Sequence, residues 1–236
     1  MSNPIEASVH LAGQVAKVGM FAAVHKLGAS YAKRKAGEAT RVREERAQER
    51  KSDGPAPSRN DIFDALRDLI TRDAALVHDG ICPPLSDYSG SLPKTAMRLR
   101  EMFADIPKSA ERSAAEDRQE VQQYVDTSDF PEYYAQNFHY QTGGYLTSES
   151  ARLYDLQVET LFSGTAAAMR RQALRPIAEA VAGRKQREMT LLDVACGTGR
   201  LMGEISRAFP ALPQLVSIFR TPISPRHKRI YPIAAV

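Results

Sequence analysis

The chain has 236 residues, of which 43% are hydrophobic and 25% charged, and its formal net charge is +4. This composition is typical of a globular protein with one full domain plus an appendage, or two small domains. No uninterrupted apolar run is long enough to span a membrane, and Cys82 and Cys196 lie too far apart for a metal-binding motif, so composition predicts a reduced, cytoplasmic chain.

Residues 1–51 are predicted to form an N-terminal helical arm. Asn3 can cap a helix that has Pro4 at its first position, and the charges of Lys17 and Lys26 argue against a signal peptide. Residues 33–51 are rich in both acidic and basic side chains. The pattern favours a packing helix followed by a solvated one, and the alternative is an amphipathic helix with weak membrane-surface contact. The interleaved acids give no strong nucleic-acid signal.

The segment SDGPAPS at 52–58 is predicted to be a linker, since it combines prolines and a glycine with small polar residues. Residues 59–160 are expected to form a helical and aromatic cap region. Within it, Ser58 or Asn60 caps a helix that ends near Gly80. A loop over 80–93 and helices over about 94–104 and 108–125 follow. A linker at this place implies that removing residues 1–57 leaves the rest folded.

The second half of the cap region, residues 128–162, holds most of the aromatic side chains around the pair Gly143 and Gly144. Aromatic side chains can wall a ligand pocket or form a lid, and they pack a helical core equally well, so both interpretations stay open. His139 alone is better explained as a structural histidine than as a base. The aromatic residues are Phe130, Tyr133, Tyr134, Phe138, Tyr140, Tyr145 and Tyr154.

Residues 161–236 are predicted to contain the start of an α/β domain. A helix over about 164–182 precedes the apolar run MTLLDVAC (189–196), which is typical of a strand buried on both faces. The sequence GTGRLMGEISRAF (197–209) then predicts a glycine turn and a helix. A strand, a glycine turn and a helix form the first half of a βαβ unit, in which backbone N–H groups approach a ligand.

Two classes of ligand use such a turn. A dinucleotide site has the spacing G-x-G-x-x-G, but after Gly197 and Gly199 the next glycine, Gly203, comes one position too late. The acid Asp193 also precedes the turn, where it would repel a pyrophosphate. S-adenosylmethionine carries an ammonium, a sulfonium and ribose hydroxyls instead, and a carboxylate complements these groups.

The segment LLDVACGTGRL resembles motif I of class I S-adenosylmethionine-dependent methyltransferases, in which two hydrophobic residues precede an acid and a glycine-rich turn. The resemblance implies a Rossmann-like domain and S-adenosylmethionine as cofactor. It implies that Asp193 lies near the methionine amino group. It also implies that Ala195, Cys196, Gly197 and Gly199 form the loop under the methionine and ribose. Ala195 stands where the family usually has a glycine.

The family pattern stops soon after the turn, so the resemblance covers only about residues 160–215. LVSIF (215–219) can be the second strand, but Arg220 and Thr221 stand where the family has its ribose-binding acid, and no Asp or Glu follows Glu204. One choice of G/C-rich codons, read two bases out of frame, turns the segment after residue 215 into a motif II-like LDLS. The expectation is therefore a truncated or frameshifted Rossmann-like domain with an irregular tail.

The function that the resemblance implies is methyl transfer from S-adenosylmethionine to an unidentified acceptor, with a small molecule favoured. This chain is expected to be an inactive or impaired, truncated member of that family. No general base and no metal ligand can be assigned. The alternative is a non-catalytic helical interaction protein with a vestigial cofactor loop.

Overall fold

The computed structural model describes residues 3–49, 54–84, 92–128, 130–137, 140–144, 146–217 and 230–232. Over these residues the chain is a mixed α/β structure, mostly helical with one small sheet. The elements are α1 Pro4–Lys35, α2 Gly37–Glu49, α3 Arg59–His78, α4 Leu92–Ala115, α5 Ser148–Leu161, α6 Ala166–Arg171, α7 Leu174–Val181, β1 Leu191–Val194, α8 Arg200–Ala208, β2 Gln214–Ser217 and β3 Ile230–Pro232.

The starts of the first and third helices follow from their capping residues. The Glu6 backbone N–H donates to Asn3 Oδ1 at 3.1 Å, which confirms the predicted N-cap of α1. At α3, Ser58 Oγ accepts from the Asp61 N–H, and the Asp61 carboxylate accepts from the Ser58 N–H. This reciprocal capping box satisfies two backbone donors and fixes the helix start at Arg59.

Two proline-containing segments differ from prediction. α4 begins at Leu92 and continues past Pro107 to Ala115, where the sequence predicted a loop to 93 and two helices. The predicted helix over 164–182 is instead two short helices, α6 and α7. Pro176, in the first turn of α7, has no N–H to donate to the Gln172 carbonyl, so one continuous helix would lose a hydrogen bond there, and α7 instead starts anew at Leu174.

The sheet contains the predicted first strand, β1, and a second strand, β2, of four residues. β1 and β2 pair in parallel with Asp193 opposite Val216, and β3 pairs antiparallel to β2. The tail was expected to be irregular, so β3 corrects that expectation. Its last residue, Pro232, lies in an edge strand of the described sheet, where a missing N–H is tolerated. Residues 218–229 and 233–236 lie outside the described residues.

The chain divides into two compact units. The first comprises the described residues of Met1–Val18, Ser58–Tyr88 and Gly164–Val236, and the second those of Gly19–Pro57 and Ser89–Ser163. In the first unit, α3, α7 and α8 pack through a buried apolar core beside β1 and β2. This core contains Ala7, Leu76, Val77, Cys82, Leu174, Val181, Met202, Ile205, Phe209 and Leu212.

The two units cross the predicted domain boundaries. The predicted arm (1–51), linker (52–58), cap region (59–160) and C-terminal domain (161–236) remain predictions, but the contacts group the chain differently. The first part of α1 and all of α3 pack with the C-terminal segment. The physical reason is that α1 carries polar side chains, described below, whose partners lie on α3 and α6.

The second unit contains α2, α4, α5 and the turns between α4 and α5. The Tyr31 and Phe103 rings meet edge to face at 5.9 Å between centroids, and Phe130 stacks on Tyr134 at 6.1 Å. The sequence left open whether the aromatic side chains wall a ligand pocket or pack a helical core, and these contacts are of the packing kind. Phe138, His139 and Tyr145 lie outside the described residues.

Among the described helices, α1 is long and apolar enough to cross a membrane by length and composition. This differs from the expectation because Ala, Val and the other apolar side chains raise the mean hydropathy of the helix although single charged residues interrupt it. A buried core helix passes the same test, so the finding alone is weak. His10 and Gln14 on α1 are buried inside the first unit.

Candidate functional site

The candidate site is the glycine turn, defined as residues 195–199, between β1 and α8. The Gly199 N–H donates to the Cys196 carbonyl at 3.0 Å, and the Gly203 N–H donates to the Gly199 carbonyl at 3.0 Å. The turn therefore closes tightly and ends as the N-cap of α8. This arrangement points the first N–H groups of a nine-residue helix toward the end of the strand.

Backbone conformation explains both glycines of the turn. Gly197 has φ +58° and Gly199 has φ +75°, a region that residues with a Cβ atom adopt only at a cost. A Cβ atom added to either glycine would meet no heavy atom within 4 Å. Among the described residues, therefore, nothing fills the space beside these two glycines, and a ligand can approach the backbone there.

Ala195 has the same left-handed conformation, with φ +65°. By the resemblance that the sequence suggested, this residue stands where a glycine is usual. Alanine in this region costs roughly 1–2 kcal/mol because its Cβ atom crowds the following carbonyl oxygen. The turn thus keeps the glycine geometry with a residue that strains it.

Asp193 and Cys196 are brought close to each other at the carboxyl end of β1. Both side chains are half-buried. Burial raises the pKa of Asp193, and burial together with the negative charge of Asp193 raises the pKa of Cys196. All five predicted residues, Asp193, Ala195, Cys196, Gly197 and Gly199, therefore belong to one strand end and one turn.

Strand β1 is covered on one face only, where the sequence predicted burial on both. Leu191 and Asp193 are half-buried, whereas Leu192 is 51% and Val194 70% exposed. Leu191 packs against the core that α7 and α8 line. No described element covers the opposite face of β1. Half-buried and exposed side chains alternate along the strand because successive side chains point to opposite faces.

The second strand ends beside the carboxyl end of β1. β2 runs parallel to β1, and Val194 is opposite Ser217. In parallel α/β sheets, ligands bind outside the carboxyl ends of the strands. Arg220 and Thr221, which the sequence put at the position of a ribose-binding acid, lie outside the described residues.

Sequence reasoning missed a buried polar cluster in the first unit, formed by His10, Gln14, Asp73 and Arg171. Asp73 Oδ2 lies 2.8 Å from His10 Nε2 and accepts from Gln14 Nε2 at 2.7 Å. Arg171 donates to the same carboxylate through Nε at 2.7 Å and through Nη2. The four residues are at most 4% exposed.

The electrostatics of this cluster favour an ionised aspartate. Burial alone would raise the pKa of Asp73, but the hydrogen bonds from His10 and Arg171 and their charges outweigh it and lower the pKa to about 2. The available sequence signal was the pair His10 and Gln14, two polar residues one helical turn apart inside an apolar segment. The cluster ties α1 to α3 and α6.

Within the described residues, no group of three or more His, Cys, Asp or Glu side chains could hold a metal ion. No protein-family model, curated protein sequence or solved structure that was compared with the chain matches it.

Proposed function

We propose that the glycine turn is the cofactor loop of a class I S-adenosylmethionine-dependent methyltransferase with a Rossmann-like sheet, and that this chain is an impaired member. The observation that carries the proposal is the strand–turn–helix of residues 191–208. It combines an acid at the strand end, three left-handed residues and a turn above which none of the described residues fills the space next to Gly197 and Gly199. The parallel neighbour β2 supports the Rossmann-like assignment.

The chemistry of the turn suits this cofactor better than a dinucleotide. Asp193 is an anion that attracts the ammonium of the methionine part and would repel a pyrophosphate. Backbone N–H groups and the start of α8 are available to the carboxylate of the methionine part. Methyl transfer is an in-line displacement at carbon, in which holding the two reactants in line supplies much of the acceleration.

The impairment follows from the residues after β2. Arg220 and Thr221 stand at the position of the ribose-binding acid, and no Asp or Glu occurs between residues 205 and 236. Each lost hydrogen bond to a charged acceptor removes roughly 1.5–3 kcal/mol. Micromolar affinity needs about 8 kcal/mol, so we expect millimolar binding at best and no turnover of an acceptor.

The test uses Cys196 as a reporter of binding. The chain is alkylated in the presence of increasing S-adenosylhomocysteine or NADH, and modification of each cysteine is followed by mass spectrometry. S-adenosylhomocysteine should slow the alkylation of Cys196 with a half-effect in the millimolar range, and NADH should not. Burial raises the pKa of Cys82 to about 11, which makes it the slow internal reference.

Two glycine variants provide the matched comparison. Gly197→Val puts a side chain into the open space above the turn and should abolish the protection. Gly203→Ala lies within α8, where a Cβ atom meets nothing within 4 Å, and should retain it. Equal protection by NADH, or unchanged protection in Gly197→Val, would contradict the cofactor assignment. Micromolar binding to the parent chain would contradict the impairment.

The rival function is a non-catalytic interaction protein, and the surface of α1 favours it. Ile5, Val9, Val15, Met20 and Leu27 are between 54% and 75% exposed, which is unusual for five large apolar side chains on one helix. Absence of any protection of Cys196 by S-adenosylhomocysteine, together with sedimentation of the chain with lipid vesicles, would favour this rival.

A further inference from the structure

Helix α1 has two faces of different character. One face is buried, since Ala7, His10, Gln14 and Phe21 are at most 9% exposed. His10 and Gln14 on this face hold the carboxylate of Asp73. The opposite face is exposed along the helix. The buried contacts already anchor α1, so the exposed face is available to a partner without any change in the fold.

The exposed face carries an apolar stripe, in which side chains recur at steps of three and four residues and therefore lie in line on the helix. At about 1.5 Å per residue, the stripe is about 33 Å long. Single exposed apolar side chains are ordinary, but a continuous line of them marks an interaction surface. The stripe consists of Ile5, Val9, Ala12, Ala16, Gly19, Met20, Ala23 and Leu27, all of them exposed.

The shape of the stripe suits another helix. Ala12, Ala16, Gly19 and Ala23 are small, so the backbone of a second helix can approach closely along the middle of the stripe. A Cβ atom added to Gly19 would meet no heavy atom of the described residues within 4 Å. Helices that lie on a membrane surface instead present large side chains such as Phe, Leu or Trp to the lipid. The small residues therefore favour a helix over a lipid surface.

The charges beside the two ends of the stripe are opposite in sign. Glu6 lies in the first turn of α1, whereas Lys26 and Arg34 lie toward its carboxyl end, and all three residues are exposed. Two parallel copies of this helix would bring like charges together. Two antiparallel copies bring Glu6 of each toward the basic end of the other, and their helix dipoles oppose each other. The stripe is therefore complementary to itself in the antiparallel direction.

We propose that the exposed face of α1 is a self-association surface, on which two copies of the chain pair through antiparallel α1 helices. The proposal does not depend on methyl transfer at the glycine turn, which lies on other elements. Self-association accounts for the exposed apolar side chains of α1 without a membrane or a different protein. Two helices in contact along one stripe form a small interface, so the dimer forms at micromolar chain concentration and dissociates on dilution.

Sedimentation velocity of the full chain measures this association. The parent should shift from monomer to dimer as its concentration rises through the micromolar range. Ala16→Glu buries a carboxylate without a counter-charge in the middle of the pair, so it should weaken association about tenfold or more. Its circular dichroism spectrum should stay that of the parent, because Ala16 is exposed in the single chain.

The matched control is Ala47→Glu, which makes the same change at an exposed position of α2 and should leave the association unaltered. A parent that stays monomeric throughout the micromolar range would overturn the proposal. Equal effects of Ala16→Glu and Ala47→Glu would overturn it as well.

Cross-linking with a short bis-maleimide tests the direction of the pair. The variants carry Cys196→Ser, so that the remaining natural thiol is the buried Cys82. In an antiparallel pair, Ile5 of one copy lies near Leu27 of the other and about 33 Å from the second Ile5. A mixture of Ile5→Cys and Leu27→Cys should therefore cross-link, and neither variant alone should. Cross-linking of Ile5→Cys alone at the yield of the mixture, or none in any sample, would overturn the antiparallel pair.

Discussion

Ala195 is held in a backbone conformation that glycine adopts at much lower cost. Its φ is +65°, similar to the φ values of Gly197 and Gly199, although Ala195 directly follows the extended strand β1. We expect Ala195→Gly to raise the free energy of unfolding by about 1 kcal/mol, because relief of strain exceeds the added entropy of the unfolded chain. Urea denaturation of the two chains measures this difference. A loss of stability would mean that Ala195 is not strained.

The ionisation of Asp73 makes the free energy of unfolding depend on pH in the acid range. The folded-state pKa of about 2 is below the unfolded value near 4, so the stabilisation is complete above pH 4 and is lost as the pH falls toward 2. The shift corresponds to about 2 kcal/mol. The difference in stability between the parent and Asp73→Asn should therefore shrink by about 2 kcal/mol as the pH falls from about 5 to about 2.

The same variant tests the buried charge of Arg171. Asp73→Asn leaves this guanidinium without its counter-charge, and breaking a buried pair from one side costs roughly 3–5 kcal/mol near neutral pH. The exposed pair of Asp68 and Arg72 provides the control, since Asp68→Asn should cost less than about 1 kcal/mol. Equal effects of the two variants would contradict the structural role of the cluster.

At the residue scale, sequence reasoning reaches chemistry that is local. The five residues of the candidate site lie together because a strand end and a glycine turn are adjacent in sequence, and their role in cofactor binding stays a prediction. The cluster around Asp73 could not be found in this way. His10 and Arg171 are far apart in the chain, and only tertiary packing brings them to the same carboxylate.

At the scale of elements, the uncovered face of β1 predicts a contrast between two substitutions. Val194 is 70% exposed, so Val194→Thr should change the free energy of unfolding by no more than about 0.5 kcal/mol. Ile205, on α8, is 1% exposed in the core below the sheet, so Ile205→Ala should cost roughly 2–5 kcal/mol. Urea denaturation compares the two. A large cost for Val194→Thr would mean that this face is covered.

The elements themselves were predictable to different degrees. The start of α1 followed from Asn3, and the start of α3 followed from two candidate caps, Ser58 and Asn60, of which the structure uses Ser58, because a cap is a contact within one turn. The burial of β1 did not follow, since the apolar run LLDV reads the same whether one face or both are covered. Helix breaks at prolines also depend on context, as Pro107 stays inside α4 while Pro176 follows a break.

At the scale of the whole molecule, the linker pattern at 52–58 suggested an arm that could be removed, and the packing argues otherwise. A composition shift marks a solvated segment, but it does not tell which segments of chain pack together. The first part of α1 belongs with α3, α6 and the C-terminal segment in one compact unit. A sequence without long-range information cannot supply that grouping.

Deleting residues 1–57 should therefore destabilise the first unit, in contrast to the expectation from the linker. The deletion removes His10 and Gln14 from the carboxylate of Asp73 and exposes Arg171, so a buried ion pair loses its cover as well as two of its hydrogen bonds. The Asn3 N–H bond to the His78 carbonyl is lost as well. Circular dichroism during urea denaturation should show a lower midpoint for the helices that remain.

The double substitution His10→Leu and Gln14→Leu in the full chain isolates the polar contacts, since it keeps the packing volume of α1. If the truncated chain unfolded at the midpoint of the full chain, the buried cluster would not be holding α1 in place.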